Sequence, residues 1–305
     1  MEIIEINGAK RFLNKIGLDN PQFESPFDKY IFRGQADSKW EVTPSAFRDT
    51  PKLFNDNGLL KKIGKRTNRD QVEAEFHTLN AFIDELNRNG FHVPNEELIN
   101  IDSYGVSYND FVTRIGRGEA IWPPKDYHSI IAIAQHYGMP TRFVDWTYDP
   151  LVAAYFAAKG ALDNQSSDYF SVYAVSVRNS DVRDYDFSPL KSNSELYNSY
   201  EKNKIYQLVK SPSSFNLNLK SQKGLFLAYV EKSFYSNEKF KPYSLEDFLG
   251  RRRRGRGSYK FITRTENAEE LLSLLHKRFY SASTLFPSIE GCVSSVYETR
   301  RYLNK

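Results

Sequence analysis

The sequence predicts an α+β fold, a mixed or antiparallel sheet flanked by helices. Short runs of β-branched and aromatic residues recur along the chain, as in Tyr169-Phe170-Ser171-Val172-Tyr173-Ala174-Val175. Between them lie helical stripes and a nearly all-apolar helix, Leu151 to Leu162. The two kinds of segment mix without the regular strand-helix alternation of a doubly wound parallel sheet. With 305 residues, 40% hydrophobic and 15% aromatic, the chain can bury a large core. It is expected to form one domain over residues 1–305, with its core at about 30–295 and insertions at about 90–128 and 178–216.

Tyr30-Ile31-Phe32-Arg33 reads as a strand ended by Gly34. Val72, Phe76, Leu79, Ile83 and Leu86 recur at steps of three and four, one stripe of a helix that Asn89-Gly90 stops. Residues 90 to 128, rich in Gly, Asn and Pro, read as an irregular excursion. Ser129 to Tyr137 is a short apolar helix, closed by Gly138 where a left-handed residue is favoured, with Pro140 just beyond. Phe143-Val144 reads as a brief strand. Asp149 then caps a helix whose first residue, Pro150, lacks the amide hydrogen that would be unpaired there.

After the Tyr169 strand, residues 178 to 216 are polar, Ser- and Asn-rich, and read as a loop or peripheral insertion. Lys223 to Val230 and Tyr259 to Thr263 read as strands. Asn267 with Glu270 resembles a capping box before Leu271-Leu272 and Leu274-Leu275. A last helix starts near Ser288 and runs through Val293, Val296 and Tyr297, with Glu290 in its first turn, where acids favour the helix dipole.

Composition narrows the chemistry. The single cysteine, Cys292, excludes an internal disulfide framework and a Cys-rich zinc site, and fits a reducing compartment. Five scattered His without paired spacing argue against a metal. The start, Met-Glu-Ile-Ile-Glu-Ile, lacks a basic segment and a long apolar run, and no stretch approaches the roughly 20 apolar residues of a membrane span. The expectation is a soluble cytoplasmic protein. From Lys220 to Lys260 there are 11 Lys or Arg against 4 Asp or Glu, a local +7 that leaves −3 elsewhere in a chain of net +4. This asymmetry suggests an anionic partner at one place.

Much of the positive charge is Arg251-Arg252-Arg253-Arg254-Gly255-Arg256. Such a tract suits RNA or DNA through charge and guanidinium stacking, and equally a solvated loop or an acidic protein partner. The segment His136-Tyr137-Gly138-Met139-Pro140-Thr141-Arg142-Phe143-Val144-Asp145-Trp146-Thr147 is denser in chemistry than an ordinary connection. As a strand it sets Arg142, Val144 and Trp146 on one face and Thr141, Phe143, Asp145 and Thr147 on the other. Tyr137 and Trp146 offer flat rings, Thr141 and Thr147 hydroxyls, and Asp145 a carboxylate able to hold Arg142 or Arg33. The same groups could form a buried structural network. Arg33, beside Gly34, could fork onto a phosphate or pair with a nearby acid. No P-loop, GxGxxG or GxSxG signature is present.

Phe32-Arg33-Gly34-Gln35, Trp40, Pro44-Ser45-Ala46-Phe47-Arg48, the segment Gln135 to Thr147, and Pro150-Leu151-Val152-Ala153-Ala154-Tyr155-Phe156-Ala157 together resemble the FRG domain family. Gln222-Lys223-Gly224-Leu225-Phe226 looks like that family's Gln-x-Gly-x-Phe strand, and Thr284 to Gly291 like its closing Leu-Phe-Pro motif. FRG domains look like distant relatives of ADP-ribosyltransferases, which bind NAD⁺ across a split sheet. The resemblance implies an Arg or His on a first strand, a hydroxyl-bearing strand leading into a helix, and a Glu on a later strand.

By that resemblance Arg33 holds the phosphates or ribose of NAD⁺, with Gly34, Gln35, His136, Tyr137, Thr141, Arg142, Trp146 and Thr147 around the dinucleotide. Tyr137 or Trp146 would stack on nicotinamide. Arg33, Asp145 and Gln222 form the implied catalytic set. Gln222 stands where the family relatives carry the Glu, and an amide positions groups but stabilises a cationic sugar poorly, so Asp145 is the acid expected to supply the charge ahead of Glu119, Glu231 or Glu290.

The implied function is an NAD⁺-dependent ADP-ribosyltransferase acting as a toxin or phage-defence effector. Its acceptor would be nucleic acid (RNA first) and its restraint an inhibitory antitoxin. A non-catalytic nucleic-acid-binding module and an NAD⁺ glycohydrolase are the alternatives.

Overall fold

A computed structural model describes residues 1–23, 29–49, 52–55, 58–96, 122–164, 167–177, 183–184, 204–210, 217–231, 238–250 and 257–302. The arginine tract at 251–256 lies outside the described residues, as do Glu119 and most of the two insertions.

The chain opens with β1 (Glu2–Glu5) and α1 (Ala9–Ile16). Next come β2 (Tyr30–Gln35), the small hairpin β3 (Phe54–Asn55) and β4 (Gly58–Leu59), and the long α2 (Asn68–Arg88). The middle of the chain is α3 (His128–His136), β5 (Phe143–Thr147), α4 (Pro150–Asp163) and β6 (Tyr169–Ser176). There follow β7 (Arg183–Asp184), β8 (Lys204–Val209), α5 (Leu217–Ser221), β9 (Gly224–Glu231) and α6 (Leu245–Gly250). β10 (Ser258–Arg264), α7 (Ala268–His276), α8 (Ala282–Leu285) and α9 (Ile289–Tyr302) complete the described residues.

The main sheet runs β1-β10-β6-β2-β5-β9-β8-β7. Pairing is parallel for β1 with β10 and β7 with β8, and antiparallel elsewhere, so the sheet is mixed. One face is covered by a core shared across its middle: Ile31, Tyr173 and Val175 on one side, Val144, Trp146, Leu225 and Leu227 on the other. The opposite face carries two separate cores. α1, α4 and α7 cover β10, β6 and β2 with Phe12, Ala153, Ala157, Phe170, Phe261 and Leu271. α2 and α3 cover β5 and β9 with Phe76, Ile130, Phe143, Phe226 and Ala228. The alternation of side chains across each strand produces this division.

Several sequence expectations hold. Val72, Phe76, Leu79 and Ile83 form the buried stripe of α2. Gly138 takes φ +84 just after α3, the left-handed cap that glycine favours. Asp149 caps α4, its side chain accepting from Leu151 N, with Pro150 first in the helix.

Other expectations are corrected. β2 does not end at Gly34 but continues to Gln35, because Gly34 and Gln35 keep their ladder with Val172 and Ser171 of β6. The polar 178–216 region is not wholly peripheral, since Lys204–Val209 pairs along β9 as β8 with Tyr206 and Leu208 buried. Lys204 and Gln207 interrupt the apolar pattern there, which hid a half-buried strand from the sequence. Asn267 makes no capping bond; its amide donates to Thr263 Oγ1 at 3.0 Å, and a turn at Thr265–Asn267 leads into α7 instead. The reciprocal capping interactions occur at Thr67 with Asp70 and at Ser281 with Thr284.

α9 reverses the usual amphipathic order. Gly291 and Glu298 face the protein, while Ile289, Val293, Val296 and Tyr297 point outward. Its inner face is fixed by polar bonds: Tyr155 Oη of α4 donates to Glu298 Oε1, and Ala282 N to Glu298 Oε2 at 3.1 Å.

Candidate functional site

The centre of the sheet is where it nearly fails. β2 pairs with β6 along all six residues, and β5 with β9 along all five, but β2 and β5 share only Phe32 with Thr147. Beyond that pair the two strands part, so Arg33, Gly34 and Gln35 no longer face hydrogen-bonding partners on β5. Arg33 belongs to the continuous-core face, opposite Tyr173 of β6. Its guanidinium reaches across the parting, where Nη1 donates to the carbonyl of Asp145 at 2.7 Å. Its Nε, buried, has no hydrogen-bond partner.

Asp145 is the one residue of β5 open to solvent. It projects between the α4 core and the α3 core, where neither covers the sheet. Though solvent reaches it, the carboxylate lies low among protein groups, and the resulting loss of hydration raises its proton affinity; Arg33 and the amide of Gln135 act in the opposite sense. Desolvation likewise lowers the proton affinity of Arg33, which Asp145 counteracts and Arg48 reinforces.

Gln135, on the last turn of α3, sets the carboxylate. Its Nε2 donates to Asp145 Oδ1 at 2.7 Å, and its Oε1 accepts from Thr141 Oγ1. Thr141 Oγ1 in turn accepts from Phe143 N at 3.1 Å. The relay has one direction only, so the amide of Gln135 is fixed with its NH₂ towards Asp145. Thr141 is also clasped by Ser45, whose Oγ accepts from Thr141 N at 3.0 Å. Ala46 N donates to Thr141 O at 3.0 Å. These bonds bring the Pro44–Arg48 segment beside the loop that enters β5.

A cavity of about 460 Å³ opens at the parting, bounded by Arg33, Ser45, Arg48, Lys52, Gln135 and Asp145, with Gly138 to Pro140 as one wall. A smaller one of about 70 Å³ lies against α4, bounded by Gly34, Thr147, Ala153, Phe156 and Gln222. Arg33 and Asp145 border both.

Of the other expected site residues, Gly34, Trp146, Thr147 and Gln222 border only the smaller cavity, Thr141 borders neither of these two but anchors Gln135, and the rest lie away from both. At Gly34 a Cβ would stand 2.1 Å from Ala153 O and 2.7 Å from Ala157 N, so its bare Cα serves the approach of α4 to β2. Gln35 is buried in the sheet and borders neither cavity. Arg142 is 2% exposed and ion-paired with Glu75 of α2, its guanidinium 5.0 Å above the Phe47 ring. Glu75 also accepts from Trp122 Nε1 at 2.7 Å and from Gln71, a buried network behind the site.

Thr147 Oγ1 donates to Gln222 O at 2.7 Å and accepts from Asp149 N at 2.9 Å, closing the corner between β5 and α4. Trp146 is 3% exposed within the continuous core and presents no open ring. Tyr137, 76% exposed, packs edge-on against His136; both project into solvent and border neither cavity.

Gln222 lies in the turn before β9, not on the strand. Its backbone N–H donates to Asn218 O, and its side-chain amide donates to Leu285 O at 3.1 Å. Nearby, Asp149 Oδ2 accepts from Lys223 Nζ at 2.7 Å and Tyr280 Oη at 2.8 Å, and the Tyr280 phenol is pushed up to about 12 by burial and that bond. Glu290 sits in the first turn of α9, exposed and away from the parting.

The structure adds Gln135, Arg48 and Lys52 to the site. Arg48 was visible as the end of Pro44-Ser45-Ala46-Phe47-Arg48, but nothing local marked it as facing Arg33. Among the described residues no cluster of three or more His, Cys, Asp or Glu could hold a metal, and no helix is long and apolar enough to cross a membrane.

Comparison with curated proteins gives no match, and neither does comparison with solved structures. A family model does match, over residues 28–166, a span that contains β2, α2, α3, β5 and α4 and thus both sides of the parting. Over residues 28–166 the chain is similar to the FRG domain.

Proposed function

We propose that this protein is an NAD⁺-consuming ADP-ribosyltransferase whose dinucleotide cleft is the parting of β2 and β5. The observation that carries the proposal is the single Phe32–Thr147 pair, beyond which the strands separate with Arg33 and Asp145 at the opening. This is consistent with the split sheet implied by the FRG resemblance. In that arrangement β2 is the arginine strand, β5 ends in Thr147 and leads into α4, and β9 lies beside β5 as the third element. A cavity of about 460 Å³ falls within the roughly 300–1,000 Å³ of small-ligand and cofactor sites.

The chemistry assigns Asp145 the central role. When the bond between nicotinamide and ribose breaks, its electron pair leaves on the nicotinamide nitrogen and positive charge develops on the ribose. A fixed carboxylate stabilises that charge in a site partly closed to water. An acceptor oxygen or nitrogen then bonds to the ribose C1′ and releases its proton to a base or to water. Gln222 cannot substitute for Asp145 here: it is neutral, and its amide is directed to Leu285 O. Arg33 holds the backbone of Asp145 and presents its remaining donors to the ligand.

The acceptor we propose is nucleic acid, RNA first, engaged by the Arg251–Arg254 and Arg256 tract, and the biological role is that of a toxin or phage-defence effector restrained by an inhibitory protein.

The test uses NAD⁺ labelled in its adenosine half, incubated with the protein and RNA. Nicotinamide release and the fate of the label are followed. Release with label on RNA is expected, and Asp145→Asn should reduce release by about 10²–10³-fold. Label recovered as free ADP-ribose makes the protein a glycohydrolase. RNA binding without any NAD⁺ consumption overturns the proposal and leaves a binding module.

A further inference from the structure

We propose that Arg48 and Lys52 form a diphosphate-binding rim on the β2–β5 cavity, so that a dinucleotide lies with its diphosphate on that rim and its reacting ribose at Arg33 and Asp145. The placement of the ribose rests on the function proposed above; the diphosphate site does not.

The lining charges give the first argument. The cavity wall carries Arg33, Arg48 and Lys52 against Asp49 and Asp145. Both carboxylates are already engaged. Asp145 accepts from Gln135 beside Arg33, while Asp49 Oδ1 accepts from Ile63 N at 2.7 Å and lies 3.5 Å from Nη1 of the buried Arg66. The wall thus carries three cations against two carboxylates that already have partners, which favours an anion in the cavity.

Geometry gives the second. Arg48 Nη2 is anchored on Thr43 O at 3.3 Å, which fixes the guanidinium through one of its five donors. Lys52 Nζ donates to Gly138 O at 3.1 Å, so its ammonium is set against the loop wall that follows α3. Arg48 and Lys52 are exposed, whereas Arg33 is partly buried, so the rim lies outward of the parting. Arg48 also stands close enough to Arg33 for the two charges to repel. An anion between them relieves that repulsion, and a diphosphate offers several acceptor oxygens to guanidinium and ammonium together.

Isothermal titration of inorganic pyrophosphate and of ADP-ribose into the full chain tests the rim, with the double variant Arg48→Gln/Lys52→Gln alongside and its melting temperature as the control for folding. The wild type should bind both compounds, the variant at least tenfold more weakly, and the variant's KM for NAD⁺ should rise at least tenfold. Pyrophosphate binding that is absent in the wild type, or unchanged in the variant, overturns the rim. If pyrophosphate binds through the rim but NAD⁺ is not consumed, the rim stands and the transferase proposal falls. If NAD⁺ is consumed with an unchanged KM in the variant, the reverse holds.

Discussion

Two arginines, each beside an acid, show how one motif divides its work. Arg142 with Glu75 is sealed between α2 and the entry to β5, at 2% exposure, with Trp122 and Gln71 completing the bonds around the carboxylate. Arg33 with Asp145 stands at an opening in the sheet, bonded to the backbone of its neighbour while the carboxylate looks outward. The first pair is joined in the interior and borders a space of only about 20 Å³, too small for a ligand. In the second, the guanidinium keeps a buried Nε without a protein partner and the acid is held by a neutral amide from Gln135. The difference lies in surroundings more than in residue type. A continuous core covers Arg142, and the gap between two cores exposes Asp145.

The sharpest way to break this comparison is to remove the buried pair. Glu75→Gln leaves Arg142 as an uncompensated buried charge and should cost about 3–5 kcal/mol in denaturant unfolding. A loss below about 1 kcal/mol would show that Arg142 is not the structural member. Gly34→Ala drives a methyl into the backbone of α4, 2.1 Å from Ala153 O. It should destabilise by about 3 kcal/mol, towards the upper end of overpacking costs, because a helix backbone cannot rotate away. Wild-type stability in that variant would mean that the glycine serves a ligand after all.

A third effect is confined to acid. Burial holds the His128 imidazole down at about 4, against 6.5 in the unfolded chain, in contact with the Phe143 ring that begins β5. The unfolded chain therefore binds the proton first as pH falls. The stability that neutral His128 contributes is complete above pH 6.5 and drains as pH drops through about 4, by about 3 kcal/mol in all. His128→Gln should flatten the stability profile across that interval; an unaltered profile would place the acid sensitivity elsewhere.

The smallest effect concerns the open pair. Gln135→Leu removes the amide that favours the ionised Asp145, so the acid limb of NAD⁺ turnover should move to higher pH, with a loss of about tenfold near that limb. If turnover falls equally at every pH, Gln135 acts on something other than Asp145.

The sequence made the frame more legible than the site. α4 was visible because its start is marked twice, by the Asp149 cap and by Pro150, and because it is apolar nearly all round. Gly138 was visible because a positive φ has a residue preference. β8 was missed since Gln207 splits its apolar residues into two short pairs, Ile205-Tyr206 and Leu208-Val209, which show no alternation and lie at the end of a polar region.

At the site, local pattern offered Arg142 or Arg33 as the neighbour of Asp145, and the structure puts Arg33 there; the family resemblance also placed Arg142, Trp146, Thr141 and Thr147 around the ligand. Alternation told which of these share a face; it could not tell which face a core would cover. The identity of Arg142's partner, Glu75, depends on how α2 packs, and no short-range signal carries that. Gln135, Arg48 and Lys52 were overlooked for the same reason, since each acquires its role only when separate segments meet.

The central claim is that Arg33 belongs to a reaction cleft and Arg142 to the scaffold, and one paired measurement tests it most directly: nicotinamide release from NAD⁺ and thermal unfolding for Arg33→Ala and Arg142→Ala side by side. The account predicts that Arg33→Ala loses release by at least about 10²-fold while still melting near the wild type, and that Arg142→Ala is lost chiefly through unfolding. Unchanged release in Arg33→Ala, or a well-folded Arg142→Ala that alone loses release, would contradict it.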